Sequence, residues 1–223
     1  MGPAEAARTD VRQVVGPTPS RGSGRPLPRS FFERPAPVVA RDLLGRVVES
    51  RTADGCVRVR LVEVEAYAGE DDPASHAWRG PTPRTEVMYG PPGRAYVYFT
   101  YGMHWCLNLV CERQGRASAV LLRAGEVIEG VEPARARRGP RPPDRRLASG
   151  PANLAVALGV DGAWDGRSVV AAGSGLRVLT GARVEDDQVA AGPRVGITRA
   201  VDTPWRFHLV GNPCVSGPRG AGG

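Results

Sequence analysis

Two glutamates in the segment 56–67 have the side-chain type and spacing that acid–base chemistry needs. Val57, Val59 and Leu61 alternate with arginines, which is the two-residue period of a β-strand with one buried face. If the strand continues regularly, Glu63 and Glu65 lie on that apolar face. A buried carboxylate is costly without a partner or a function. A carboxylate held there could take a proton or stabilise a positive charge.

A β-bulge near Leu61 gives the opposite interpretation of the same residues. A bulge adds one residue to the strand and reverses the alternation, which would leave both glutamates in solvent. From the spacing alone, we favour the bulge.

Aromatic residues are concentrated between residues 67 and 101. This stretch contains His76, Trp78 and all five tyrosines of the chain, which are Tyr67, Tyr89, Tyr96, Tyr98 and Tyr101. Flat side chains near a basic surface can stack on nucleic-acid bases. A tyrosine-rich hairpin that packs internally would explain some of them. It does not explain Tyr101, because an aromatic ring at the tip of a hairpin cannot easily bury itself within its own sheet.

The positive charge of the chain is confined to two segments. The net charge is +7, and all 30 basic residues are arginine. The excess lies in residues 1–30 and 131–146, whereas the rest of the chain is balanced. A G+C-rich genome would explain arginine in place of lysine, and basic tails often only increase solubility. Clustering of the charge is instead typical of a chain that docks on a polyanion.

The elements that must position these residues are short strands and helices. Apolar periodicity predicts helices at 36–44, 131–138 and 152–158, and hairpins at 46–67 and 95–111. Further strands are predicted at 119–123, 176–179, 194–198 and 206–210, with a long loop at 68–94 and a basic loop at 139–148. Strands that follow one another in hairpins predict a single α+β domain on a mainly antiparallel sheet.

Composition excludes several other classes. No apolar stretch approaches the roughly 20 residues of a membrane span, and no signal-like apolar segment opens the chain, so we expect a cytoplasmic protein. The four cysteines form no CxxC pair, which predicts reduced thiols rather than a zinc knuckle or a disulfide framework. Residues 1–29 are rich in Pro, Gly, Ser and Arg and are predicted to be a disordered basic tail.

Several motifs in order resemble the 3-methyladenine DNA glycosylase family of the alkyladenine type. The resemblance covers residues 31–216, and its motifs are Val62-Glu63-Val64-Glu65-Ala66-Tyr67, His76, Tyr96-Val97-Tyr98-Phe99-Thr100-Tyr101-Gly102-Met103-His104-Trp105-Cys106-Leu107-Asn108, Leu121-Leu122-Arg123-Ala124, Ser149-Gly150-Pro151, Arg194-Val195-Gly196-Ile197 and Gly211-Asn212-Pro213.

This resemblance implies a role for individual residues. It makes Glu65 the general base that activates a water, with Arg123 beside that water. It makes Tyr67, His76 and Tyr98 the walls of a pocket for a base that is flipped out of the duplex, and Asn108 the side chain that crowds the exocyclic amine of guanine. Tyr101 would be the wedge in the minor groove, and Met103 a neighbouring residue that faces DNA. Glu63 has no catalytic counterpart and is expected to be structural.

The resemblance also implies a fold and an activity. We expect a catalytic domain over residues 30–216, with a curved sheet and a protruding hairpin that inserts into DNA, and a flexible tail over 217–223. The expected enzyme is a monomer that needs no metal or cofactor and acts on duplex DNA in the bacterial cytoplasm or nucleoid. It would release alkylated or deaminated purines, of the 3-methyladenine, 7-methylguanine and hypoxanthine type, and leave an abasic site. The chain has no lysine, so a Schiff-base mechanism with strand cleavage is not expected.

A non-catalytic, arginine-rich protein that bends DNA through Tyr101 is the alternative. It would explain the charge and the exposed aromatic ring. It would not explain Glu65, because a carboxylate that faces phosphates weakens binding. Release of a base from alkylated DNA separates the two hypotheses.

Overall fold

The structure is a computed structural model that describes residues 24–217, and it has an α+β fold. Within these residues, eight strands form one sheet: β1 (Val47–Thr52), β2 (Gly55–Tyr67), β3 (Ala95–Thr100), β4 (His104–Val110), β5 (Ala119–Glu129), β6 (Leu176–Leu179), β7 (Val189–Gly192) and β8 (Arg206–Leu209). The strand order is β3-β4-β5-β2-β1-β6, and β8 pairs with both β2 and β7. All pairs are antiparallel, which confirms the predicted class. The sheet is open and uncurled.

In the described part of the chain, four short helices accompany the sheet. They are α1 (Arg29–Phe32), α2 (Ala36–Leu43), α3 (Val131–Arg138) and α4 (Pro151–Leu158). The three predicted helices therefore agree with α2, α3 and α4 to within one residue at each end. Proline occupies the first turn of α2 and of α4, where its missing N–H has no intrahelical partner to lose.

Both predicted hairpins are present. Thr52 pairs with Gly55 at the tip of the β1–β2 hairpin, and Thr100 pairs with His104 at the tip of the β3–β4 hairpin. The second hairpin thus presents Tyr101, Gly102 and Met103 in its turn.

The predicted bulge occurs in β2, and it reverses the alternation of this strand. The register of β2 with β5 shifts between Leu61 and Glu63 and again between Glu63 and Val64. Leu61 belongs to the main core before the bulge, and Val64 belongs to it after the bulge. The expectation that the bulge leaves both glutamates in solvent is wrong, because Glu63 and Glu65 are 0% exposed. Backbone and side chains from residues 194–216 cover this face of the strand.

Two other strand predictions differ from the structure. The strand predicted at 119–123 continues to Glu129 as β5. Gly125 permits this continuation, because a Cβ at this position would lie 2.2 Å from Val59 Cγ1. The strand predicted at 194–198 is wrong. This segment is irregular, since the Arg194 side chain and the Val195 N–H bind acidic side chains instead of a neighbouring strand.

The two faces of the sheet have different coverings. Helices α2 and α4 pack on one face over the main core, whose largest side chains include Phe32, Leu43, Leu107 and Leu154. The opposite face carries Tyr96, which packs with Ala77 and Met88 of the segment 68–94. That segment is irregular apart from two 3-10 turns, Gly69–Asp71 and Glu86–Tyr89.

Ordered structure begins before the predicted domain boundary at residue 30. Leu27 is 5% exposed, and its N–H donates to the Val178 carbonyl at 2.8 Å. Residues 25–27 therefore pack along β6, unlike the disordered tail expected up to residue 29. The rest of that tail, residues 1–23, and the C-terminal residues 218–223 lie outside the described residues. Within the described part of the chain, no helix has the length and apolar composition that crossing a bilayer requires.

Candidate active site

A large cavity opens on the face of the sheet that carries Tyr96. Its volume is about 1220 Å³. All five side chains predicted for the base pocket or beside the water line it, and they are Tyr67, His76, Tyr98, Asn108 and Arg123. Tyr101 and Met103 of the β3–β4 turn also line it. The structure therefore brings together residues that are up to 56 positions apart in the sequence, from Tyr67 to Arg123.

Glu65 lies directly behind the wall of this cavity. Its Oε1 accepts a hydrogen bond from the Val195 N–H at 2.7 Å, and its Oε2 accepts one from the Tyr67 hydroxyl at 2.9 Å. Arg123 Nη1 is 3.3 Å from Oε2. Val195, Tyr67 and Arg123 all line the cavity, whereas the Glu65 side chain is 0% exposed. The carboxylate is thus fixed in one orientation, one layer of atoms from the cavity.

Tyr67 serves this carboxylate as a hydrogen-bond donor. Burial raises the pKa of the Tyr67 hydroxyl, and the nearby charge of Glu65 raises it further. The hydroxyl therefore keeps its proton at neutral pH and donates a hydrogen bond to Glu65.

Glu63 holds the arginine of the site in place. Glu63 Oε1 accepts from Arg123 Nε at 3.1 Å and from Arg206 Nε at 2.6 Å, and Oε2 accepts from the Ser216 N–H at 2.7 Å. Burial alone would raise the pKa of Glu63, but the Arg123 charge and the bonds from Ser216 and Arg206 outweigh it, so this pKa is lowered.

The charges at the base of the site are balanced. Burial acts to lower the pKa of Arg123, and the two carboxylates, Glu65 and Glu63, outweigh burial and raise it. With Arg206, two guanidinium groups compensate two carboxylates. A buried carboxylate pair of this kind is tolerable because each member has both a charge partner and hydrogen bonds.

His76 is held in a neutral state on the aromatic wall. Its Nδ1 lies 3.0 Å from the Tyr96 hydroxyl, and its ring packs edge-on against Tyr98 with 4.5 Å between centroids. Burial, and then the charge of Arg84, lower the pKa of His76 to about 4. At neutral pH the imidazole therefore has one donor and one acceptor nitrogen.

Asn108 is also fixed at the cavity wall. It is 4% exposed, and its Nδ2 donates to the Tyr96 carbonyl at 3.0 Å. The position of this amide in the cavity is therefore set by the backbone of β3.

The β3–β4 turn projects two apolar side chains from the mouth of the cavity. Tyr101 is 83% exposed and Met103 is 68% exposed. Tyr101 has a φ of 51°, in the left-handed region that non-glycine residues rarely adopt. The structure thus places Tyr101 where the sequence predicts an unburied ring, in a backbone conformation that costs free energy.

Arg194 supports the Tyr67 ring and was missed as a site residue by the sequence analysis. Its guanidinium lies 4.7 Å from the Tyr67 ring centroid, its Nη2 donates to Asp72 Oδ1 at 2.8 Å, and its Nη1 donates to the Ala66 carbonyl at 2.9 Å. Asp72 and Arg194 are 122 positions apart, so their pairing could not be predicted from spacing. The only available signal was the family motif that begins at Arg194.

A buried carboxylate and guanidinium beneath an aromatic cavity suit a hydrolase that acts on a flat ring group. The sequence profile of the family Methylpurine-DNA glycosylase (MPG) matches residues 30–213. A protein of Streptomyces avermitilis is 56% identical over 86% of this chain and 91% of its own length. A protein of Cutibacterium acnes is 52% identical over 83% of this chain and 96% of its own length. Both carry the provisional name 3-methyladenine DNA glycosylase.

The chain therefore belongs to the methylpurine-DNA glycosylase family. It is a hydrolytic N-glycosylase of base excision repair that acts on damaged bases in DNA.

Proposed function

We propose that this enzyme rotates a damaged purine out of duplex DNA into the cavity and hydrolyses its glycosidic bond with a water that Glu65 activates. The observation that carries the proposal is the placement of Glu65. Its carboxylate is fully buried, held by Val195 and Tyr67, and separated from the cavity only by residues that line it. A purine in the cavity would bring its sugar to this wall.

The hydrolytic step needs a base and a countercharge at the same place. Glu65 takes a proton from water, the water oxygen bonds to the sugar carbon, and the bond from that carbon to the purine nitrogen breaks. Positive charge develops on the sugar as the purine leaves, and the Glu65 carboxylate stabilises it. The step requires a water molecule to enter beside Glu65 Oε2. Arg123 Nη1 lies 3.3 Å from this oxygen, which is long for a hydrogen bond.

The aromatic wall supports the base-flipping part of the proposal. An enzyme cannot reach this bond inside the stacked duplex, so the nucleotide must leave the helix. Tyr67 and Tyr98 offer ring faces on which a purine can stack, and a cationic alkylated purine gains further from them. Tyr101, exposed at the cavity mouth, would fill the gap left in the duplex. All these residues come from one chain, so we propose that a monomer is sufficient.

Asn108 supports selection among purines. Its amide cannot rotate away without losing the bond to the Tyr96 carbonyl. A base is therefore accepted only if the substituent that lies against this fixed amide has a shape that fits beside it. We propose that normal guanine is rejected in this way, and that 3-methyladenine, 7-methylguanine and hypoxanthine are accepted.

We propose that water, and not an amine, is the nucleophile. Strand cleavage by β-elimination needs an amine that forms a Schiff base with the sugar. The sequence contains no lysine. The terminal amine would have to reach the site from a residue outside the described part of the chain.

The test is the product formed on a duplex with one 7-methylguanine or one hypoxanthine, at neutral pH. We expect an intact strand with an abasic site, which breaks only after alkali or heat, and little covalent adduct in borohydride. The same duplex without damage is the control and should remain uncleaved after alkali. Strand breaks at neutral pH or efficient trapping by borohydride would contradict the hydrolytic proposal, and no base release from either duplex would contradict the substrate class.

A further inference from the structure

A guanidinium covers one face of each tyrosine ring of the cavity wall. Arg194 Cζ lies 4.7 Å from the Tyr67 centroid, and Arg84 Cζ lies 5.1 Å from the Tyr98 centroid. Both tyrosines line the cavity, and neither arginine does. Each ring therefore lines the cavity and also carries a guanidinium, from outside the cavity lining, against one of its faces.

The two cations differ in their charge compensation. Arg194 is 5% exposed and forms a buried ion pair with Asp72. Arg84 is exposed, and among residues 24–217 it forms no ion pair with a carboxylate. The positive charge behind Tyr67 is thus neutralised, while the positive charge behind Tyr98 is not.

The charge of Arg84 reaches the groups around Tyr98. It lowers the pKa of His76, after the larger effect of burial. It also acts against burial on the Tyr96 and Tyr98 hydroxyls by favouring their charged forms. A positively charged group in the cavity would be repelled by the same field.

We infer that Arg84 is a specificity-determining residue that weakens binding of flipped cationic purines relative to neutral ones. This inference rests on the proposed function, because it requires the purine to stack on Tyr98. A cation against one face of Tyr98 draws π-electron density away from the opposite face, so the ring attracts a stacked cationic base less strongly. A base stacked on Tyr98 would also lie about 9 Å from the guanidinium, which is close to the Debye length of about 8 Å at physiological salt, so the charge is only partly screened. A neutral base such as hypoxanthine escapes both effects.

The effect belongs to binding rather than to bond cleavage. A purine alkylated at ring N3 or N7 is cationic in the nucleotide and loses its charge as it leaves, while the positive charge moves to the sugar beside Glu65. Arg84 therefore disfavours the flipped complex more than the transition state. Binding of an uncleaved lesion is the appropriate measurement.

The experiment compares dissociation constants for duplexes with 2′-fluoroarabino-7-methylguanine or 2′-fluoroarabino-hypoxanthine, which resist hydrolysis. For Arg84→Gln we expect the ratio of affinities to shift on the order of fivefold toward the cationic lesion. Arg84→Lys keeps the charge and should keep most of the wild-type ratio. Arg113→Gln removes an exposed charge elsewhere and should leave the ratio unchanged.

Two outcomes would overturn the inference. An equal loss of affinity for both lesions in Arg84→Gln would show that Arg84 contacts only phosphate. An unchanged His76 pKa in the free Arg84→Gln protein, measured by NMR titration where we expect a rise, would show that the charge does not reach the cavity. Failure of the proposed function would give a different result, because the wild-type protein would then bind lesion-containing and undamaged duplexes with equal affinity.

Discussion

Two buried carboxylates in the same sheet, Glu49 on β1 and Glu65 on β2, have opposite surroundings. Glu49 is 1% exposed and accepts hydrogen bonds from three arginines, Arg51, Arg58 and Arg177. Burial alone would raise the pKa of Glu49, but these bonds outweigh it and lower the pKa to about 2. Among residues 24–217, Glu65 contacts a single guanidinium, that of Arg123, which it shares with Glu63, and its other partners are a neutral hydroxyl and a backbone N–H.

The comparison shows that burial does not distinguish a catalytic carboxylate from a structural one. Three guanidinium groups occupy both oxygens of Glu49 and make it too weak a base to take a proton from water. The partners of Glu65 orient it without surrounding it with cations, and each of them lines the cavity. The nature of the partners, and a cavity beside them, are the informative features.

Glu49→Gln should have the largest effect on stability. It leaves the exposed Arg51 and the partly buried Arg58 and Arg177 without the carboxylate that they share, and we expect a loss of about 2 kcal/mol in the free energy of unfolding at pH 7. The base-release rate of the folded protein should not change. A fall in that rate with unchanged stability would remove the distinction between the two carboxylates.

The same variant has a predicted pH dependence. The folded-state pKa of Glu49 is lowered from 4.5 to about 2, so its stabilisation is fully present above pH 4.5 and is lost as the pH falls toward 2. Urea unfolding between pH 5 and 3 should therefore show a steeper loss of stability in wild type than in Glu49→Gln. Glu129→Gln is the matched control, because Glu129 also pairs with Arg58 but is 54% exposed, and it should behave like wild type.

Tyr101→Ala tests the region at the mouth of the cavity. We expect affinity for lesion duplexes to fall by about tenfold or more, because the ring no longer fills the gap in the stack. The melting temperature should hardly change, since Tyr101 is 83% exposed. Tyr101→Phe keeps the ring and should bind nearly as wild type. A large fall in melting temperature with normal binding would instead identify Tyr101 as a packing residue.

Removal of residues 1–23 should have the smallest effect. This segment carries three arginines, and its loss should lower the slope of log K against log salt by up to about 3. The surroundings of Glu49 and Glu65 are not altered, so the free energy of unfolding and the single-turnover rate should remain as in the full chain. Fluorescence anisotropy over a salt series measures the slope, and an unchanged slope would mean that these arginines do not contact DNA.

Local patterns predicted much of the sheet. The alternation through Val57 and Leu61, with its break at Ala53-Asp54-Gly55, was enough to predict the β1–β2 hairpin. Regular alternation would place two glutamates on the apolar face, and this was enough to suggest the bulge in β2. The exposure of Tyr101 followed from its place in a turn. These features depend on neighbours in the sequence.

Tertiary contacts decided what the sequence could not predict. The burial of Glu63 depends on Arg206 and Ser216, and that of Glu65 depends on Val195, all of them 130 or more residues further along the chain. The irregular path at Val195 depends on its bond to Glu65, and the support of Tyr67 depends on the Arg194–Asp72 pair. The resemblance to a known family brought together the cavity residues, which spacing alone could not do.

The most direct test of the central claim is the single-turnover rate of Glu65→Gln on a duplex with 7-methylguanine. The amide can still accept a hydrogen bond from Val195 but cannot take a proton from water. We expect base release to fall by at least about a hundredfold, in the range that general-base catalysis contributes, with lesion binding equal to or tighter than that of wild type. Glu126→Gln, which alters a partly exposed glutamate on β5, serves as the control with a normal rate. If Glu65→Gln kept most of the wild-type rate while binding the lesion normally, Glu65 would not be the base.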